Sequence, residues 1–248
     1  MLNNINMEDR EKGFTLVELA VVMVIIGLLI GGVLKGQELI NNARVTATAK
    51  ELESYSGAMN GFIDKYSAVP GDMRTADTRL PANCDGAACP TGDGNSRIGV
   101  GVGALNLPAA DNSEGGNFFS HLLAADFVSG FTGASVAQFG ENFPTSPVGG
   151  GYFVGDNRGT TPTNFTQGEL KPKPYLLVMG TMGVSATGAG SLTPQQAAQI
   201  DRKLDDGRAS SGTIIAQADA ACRTGGTTGT DYDEQSTTAT CVIAYRLQ

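Results

Sequence analysis

Apolar residues run almost unbroken along the early chain, then thin out to one in every three or four positions. From Phe14 to Leu34 there are 21 residues, and Glu18 is the only charged one. A helix of about 20 residues spans a bilayer core at 1.5 Å per residue, so this run is long enough to cross a membrane. An acid inside such a run is costly in hydrocarbon, which marks Glu18 for a partner or a function. Beyond it, Val45, Ala49, Leu52, Tyr55, Met59, Phe62, Ile63 and Tyr66 recur at three- and four-residue steps. That spacing predicts a helix with one apolar face, leaving Lys50, Glu51, Glu53 and Asp64 to face solvent. Pro70-Gly71 stops it. One helix of about 50 residues, roughly 80 Å long, is therefore expected from Phe14 to Tyr66. Its first half is apolar all round and its second half on one side only.

The later pattern is more broken. Asn117 to Ser129 reads as a short amphipathic helix with Phe118, Leu122 and Phe127 among its apolar positions. Pro174 to Met179 reads as a buried strand between prolines and Gly180. Thr193-Pro194-Gln195-Gln196 has the form of a capping box with proline at the first helical position. The helix it starts should stop at Asp206-Gly207, with a strand from Gly212 to Ala216 after it. The final VIAYRLQ reads as a closing strand. Glycines crowd residues 86–116 and 149–159, the expected long loops. No internal repeat is visible.

Composition narrows the classes. Net charge is −8 and the chain has 34 glycines and no tryptophan. That charge leaves no electrostatic footprint for nucleic acid, and none is expected as a partner. The length suits one long helix and a single domain. Four cysteines fall into two local groups, Cys84/Cys89 and Cys222/Cys241. Four cysteines permit three connectivities. The local pairing is the simplest, because each pair would close a glycine-rich loop that has little apolar content of its own. One histidine in the whole chain makes zinc a poor alternative to disulfides.

The chemistry-bearing stretch is Lys12-Gly13-Phe14-Thr15-Leu16-Val17-Glu18, followed at once by LAVVMVIIGLLIGGVL. A signal peptide would have a shorter apolar core and a small-residue site on its far side. The pattern G|FTLVEL resembles the cleavage and methylation signal of type IV pilins and type II secretion pseudopilins. The leader departs from a basic one, with Glu8, Asp9 and Glu11 against Arg10 and Lys12, so the positive-inside rule is nearly silent. The resemblance implies cleavage after Gly13, N-methylation of Phe14 and an assembly role for Glu18. It also implies an α+β fold, in which a long amino-terminal helix packs on a head carrying an antiparallel β-sheet. The organisation would be a leader at 1–13, a transmembrane half of the helix at 14–35, an amphipathic half at 36–68 and a head at 69–248. Expected partners are other pilin or pseudopilin subunits, prepilin peptidase and an inner-membrane assembly platform. The head would lie in the periplasm, where the cysteines would be structural disulfides. YSAVPGDM at Tyr66 to Met73, the stretch from Phe118 to Gly133 and IDRKLDDG also look like a recurrent layout in pilin-like proteins of Gram-negative bacteria. The large glycine-rich head points to a minor subunit. The competing class is a membrane-tethered adhesin whose anchor never polymerises.

Other candidate chemistry is thin. Thr91 to Ser96 places oxygen ligands at alternate positions, as calcium loops do, but lacks the glutamate at the twelfth. Asp93 and Asn95 are thus weak calcium candidates in what reads as an Asp-Gly turn, with Asp85 and Asp111 helping only if the fold brings them close. No cofactor is otherwise expected. His121 reads as a packing residue, and Asp205-Asp206-Gly207 as a helix stop. No nucleophile elbow, phosphate loop or paired nucleophile and base is present, so an enzyme is not expected. Gly13 and Phe14 are positions another enzyme would act upon.

Overall fold

The computed structural model describes residues 15–81, 84, 89–99, 114–132, 138–157, 165–166, 168–181 and 190–248. The fold is α+β: one long helix followed by a head with a four-stranded antiparallel sheet. Helix α1 runs Leu16–Tyr66 without a break, and the chain divides into compact units at Ala43 and Arg44. In the first unit the apolar side chains from Leu16 to Ile40 are exposed. By length and composition this part of α1 can cross a membrane.

In the second unit the apolar stripe of α1 is buried. Val45, Ala49, Leu52, Tyr55, Met59, Phe62 and Tyr66 are all inside, joined by the small residues Thr48, Ser56 and Ala58; Ile63 is half-buried. Tyr55 meets Phe119 edge-on at 5.6 Å and Tyr152 at 5.3 Å, while Phe62 lies against Phe127 and the His121 ring. Glu51 departs from the expected solvent position. It is half-buried, and Tyr152 donates its hydroxyl proton to Glu51 Oε2 at 2.7 Å. Burial raises the Glu51 carboxyl above its ordinary range, partly offset by that bond.

After α1 come a short helix α2 (Ala76–Arg79) and α3 (Glu114–Ala124). Helix α3 starts and ends earlier than the expected 117–129. Its C-terminal stop is a left-handed residue, Asp126 (φ 64°), with Phe127 N–H bonded to Leu122 O and Asp126 N–H to Leu123 O. These two bonds close the helix end as a Schellman turn, which periodicity alone does not register.

The strands are β1 (Gly151–Asp156), β2 (Pro174–Met179), β3 (Ile214–Ala216) and β4 (Ile243–Arg246), in the order β1-β2-β4-β3. Strand β1 corrects the reading of 149–159 as loop. Gly151 serves packing, since a Cβ there would run into the Phe139 ring and Pro144 O. It pairs along its length with β2, from Gly151 opposite Met179 to Asp156 opposite Pro174. The carboxy-terminal β4 enters between β2 and β3, pairing Leu177 and Ile215 with the two sides of Ala244. Helix α4 (Pro194–Leu204) begins with the capping box the sequence predicts: Thr193 Oγ accepts from Gln196 N–H, and Gln196 accepts from Thr193 N–H.

Candidate functional site

The start of α1 is built by Thr15 and Glu18. The Glu18 carboxylate accepts from Thr15 N–H at 2.8 Å and from the Thr15 hydroxyl at 2.9 Å, while Thr15 Oγ faces Glu18 N–H at 3.3 Å. This is a reciprocal capping box that satisfies orphan donors at the helix start and places a negative charge where the helix dipole favours it. Thr15-Leu16-Val17-Glu18 has the same S/T-x-x-E/Q spacing as Thr193 to Gln196, so Thr15 was findable in the sequence. Gly13 and Phe14, the expected cleavage and methylation positions, lie outside the described residues.

A second polar constellation forms where the chain leaves α1. Asp72, Asp93 and Glu114 each bring a carboxylate oxygen within 4.8 Å of the others. Asp72 accepts from the backbone N–H of Asn95 at 3.0 Å and of Ser96 at 2.7 Å. Glu114 accepts from Asp93 N–H at 2.9 Å and Gly99 N–H at 3.0 Å. Burial raises the Asp72 and Glu114 carboxyls, and neighbouring carboxylates add to the rise at Glu114. Exposed Asp93 is lowered: desolvation opposes this, but bonds from the Asn95 backbone, Asp72, the Asn95 side chain and Glu114 prevail. These three acids are the residues that could hold a divalent cation here, with oxygen ligands of the kind calcium takes. Of the sequence candidates, Asp93 belongs to the cluster; Asn95 Nδ2 donates to Asp93 Oδ2 at 2.7 Å, and its Oδ1 accepts from Arg97 N–H at 2.8 Å. Asp85 and Asp111 lie outside the described residues. Asp72 and Glu114 carried no sequence signal, because their meeting depends on α3 folding back beside the end of α1.

His121 lies on α3 two turns beyond Glu114 and is fully buried. Gly71 N–H donates to its Nδ1 at 2.9 Å, and its Nε2 faces Pro90 O at 2.7 Å. The neutral ring with a proton on Nε2 satisfies both contacts. Burial pushes its pKa down to about 4, against the smaller opposing effect of the Pro90 carbonyl. Glu114 and His121 thus pin Gly71, Pro90, Asp93 and Gly99 to α3, a packing role.

The cysteines pair locally, Cys84 with Cys89 and Cys222 with Cys241. The second pair bounds a polar loop held by buried Arg223, whose guanidinium makes two bonds to Glu169 at 2.9 and 2.7 Å. None of these groups forms a nucleophile-and-base pair.

No curated protein and no solved structure matches the chain. Residues 9–34, which contain the Thr15–Glu18 cap and open the apolar half of α1, match the family described as the prokaryotic N-terminal methylation motif, the type IV pilin and pseudopilin signal.

Proposed function

We propose that this chain is a structural filament subunit, a minor pilin or pseudopilin of a type IV pilus or type II secretion pseudopilus. The observation that carries the reading is the methylation motif at residues 9–34 on a helix that continues unbroken from Leu16 to Tyr66. A prepilin peptidase cuts after Gly13, and Phe14 becomes the methylated mature terminus. Gly27, Gly31, Gly32 and Gly36 support a helix made for company. A side chain on any of them would meet nothing within 4 Å in this chain. Each glycine still weakens the helix by about 1 kcal/mol relative to alanine. Small residues let neighbouring helices approach closely, which gives those glycines a use outside the molecule.

Glu18 then aligns an incoming subunit. Cleavage creates an α-amino group at Phe14, and both charges are costly away from water. The carboxylate bonded to Thr15 in the single chain exchanges that partner for the amine of a neighbouring subunit. The assembly platform sits in the inner membrane and the head in the periplasm. Glycine-rich loops in a large head favour a minor subunit, and retention of the acid at the fifth mature position argues against the tip pseudopilin.

Two measurements test this. Amino-terminal mass spectrometry of protein from the native membrane should find methylated Phe14; an intact Met1 or a cut near Gly32 would remove the processing step. Glu18→Ala should insert and fold normally yet cross-link into envelope filaments far less than wild type. Normal incorporation of that variant would leave the tethered-adhesin reading in its place.

A further inference from the structure

The carboxy-terminal disulfide loop is fastened to α4 by a contact unlike the rest of the surface. Asp201, on the last turn of α4, has no exposed surface. Its Oδ2 accepts the hydroxyl proton of Tyr232 at 2.8 Å, and its Oδ1 accepts from Gly207 N–H at 3.3 Å. Tyr232 is itself buried and lies inside the loop closed by Cys222 and Cys241, 31 residues away in sequence. Carboxylate oxygens of Asp205 and Asp206 lie within 4.8 Å of one of Asp201. Those two are not free to turn away. Asp205 Oδ2 accepts from Thr213 N–H and Ile214 N–H, and Asp206 accepts from Arg208 N–H and the Ser211 hydroxyl.

We propose that Asp201 and Tyr232 form a proton-operated latch, which holds the disulfide-bounded loop on α4 while Asp201 is protonated and frees it when the proton leaves. In the closed state a protonated Asp201 still accepts from Tyr232 and Gly207 and carries no charge beside Asp205 and Asp206. Loss of that proton leaves a charge with no solvent beside two fixed like charges. Burial, with Asp206 and Asp205 adding to it, raises the carboxyl to about 7, against the lowering effect of the Tyr232 and Gly207 bonds. The other charged and titratable groups around the contact do not relieve the strain. Arg202 on α4 is committed to Glu234 of the loop, and Arg223 behind Tyr232 is committed to Glu169. Tyr245 on β4 supplies no positive charge: burial, then the Glu53 and Asp205 carboxylates, raise its hydroxyl, against the lowering effect of a Ser56 bond. The cheapest relief is to let water reach Asp201 by lifting Tyr232. The loop can do so because its base stays fixed by the disulfide and by the Arg223–Glu169 pair.

Hydrogen exchange on the full-length chain in detergent micelles tests the latch, with rates corrected for intrinsic pH dependence. The reporters are the amides of Thr224 and Asp233, which bond to Asp231 O and Cys222 O inside the loop. Between pH 5.5 and 8.0 the protonated fraction of Asp201 falls about tenfold. Protection of Thr224 and Asp233 should fall by a similar factor, while Leu177 in the sheet keeps its protection. Asp201→Asn should make loop protection the same at both pH values. Constant protection in wild type, or an equal fall in Asp201→Asn, would overturn the proposal. A readout on wild type alone guards against a variant that fails to fold: the Asp201 carboxyl carbon and the loop amides should titrate together near neutrality. Midpoints near 4 would overturn it.

Discussion

At the scale of single residues, His121 and Gly71 hold the turn after α1, and each supports a prediction. The folded His121 pKa of about 4 lies below the ordinary 6.5, so between these values the unfolded chain binds the proton the folded one refuses. The stability His121 contributes is therefore complete above pH 6.5 and is lost as pH falls towards 4. The cost of His121→Gln, measured by denaturant unfolding, should shrink by on the order of 3 kcal/mol across that window. A cost independent of pH would contradict the buried neutral ring. Asp201 works in the opposite sense: its raised pKa makes its contribution complete in acid and lost as pH rises towards 7. The two slopes oppose one another between pH 4 and 6.5, and each substitution exposes the other. Gly71 has φ 88°, and a Cβ there would meet Glu114 O at 2.2 Å. Gly71→Ala should lower stability by about 1–3 kcal/mol, because left-handed backbone and a backbone clash combine. A thermal midpoint equal to wild type would count against the placement of α3.

At the scale of elements, the join between α1 and β1 rests on aromatic packing and one polar bond. Tyr152→Phe keeps the ring beside Tyr55 but leaves the half-buried Glu51 without its donor. The expected loss is about 1–3 kcal/mol, and Glu51→Gln combined with Tyr152→Phe should lose less than the sum of the two single changes. Strict additivity in that cycle would mean the bond is not formed. The element pattern also marks where sequence reading succeeds. Helix α4 was legible because Thr193, Pro194 and Gln196 encode its start locally, and β2 because an apolar run lies between Pro174 and Gly180. Strand β1 was hidden because Gly151 looks like a loop residue when it is a close-packing one. The end of α3 was hidden because a left-handed Asp126 leaves no mark in hydrophobic spacing.

At the scale of the whole molecule, the chain combines a helix exposed in its first half with a head whose last strand lies inside the sheet. Placing β4 between β2 and β3 makes the residues before it a long connection that must be held at its base. The Cys222–Cys241 bridge does this across a sequence separation of 19. Replacing both cysteines by serine should cost about 3 kcal/mol on the chain-entropy model, read by unfolding of the full chain with and without reductant. Unchanged stability on reduction would show that Arg223 and Glu169 suffice to hold the loop.

What the sequence determined by itself is local or periodic. The 21-residue run from Phe14 to Leu34, the acid within it, the one-sided stripe to Tyr66 and the box at Thr193 are each local patterns. Spacing of that kind is readable along a line. The tertiary structure alone decided the rest: the meeting of Asp72, Asp93 and Glu114, the burial of Glu51 against Tyr152, the two backbone partners of His121 and the Asp201–Tyr232 contact. These groups are tens of residues apart or more. Their energies come from desolvation and from the fixed positions of donors, which exist only once the helices and the sheet have closed around them.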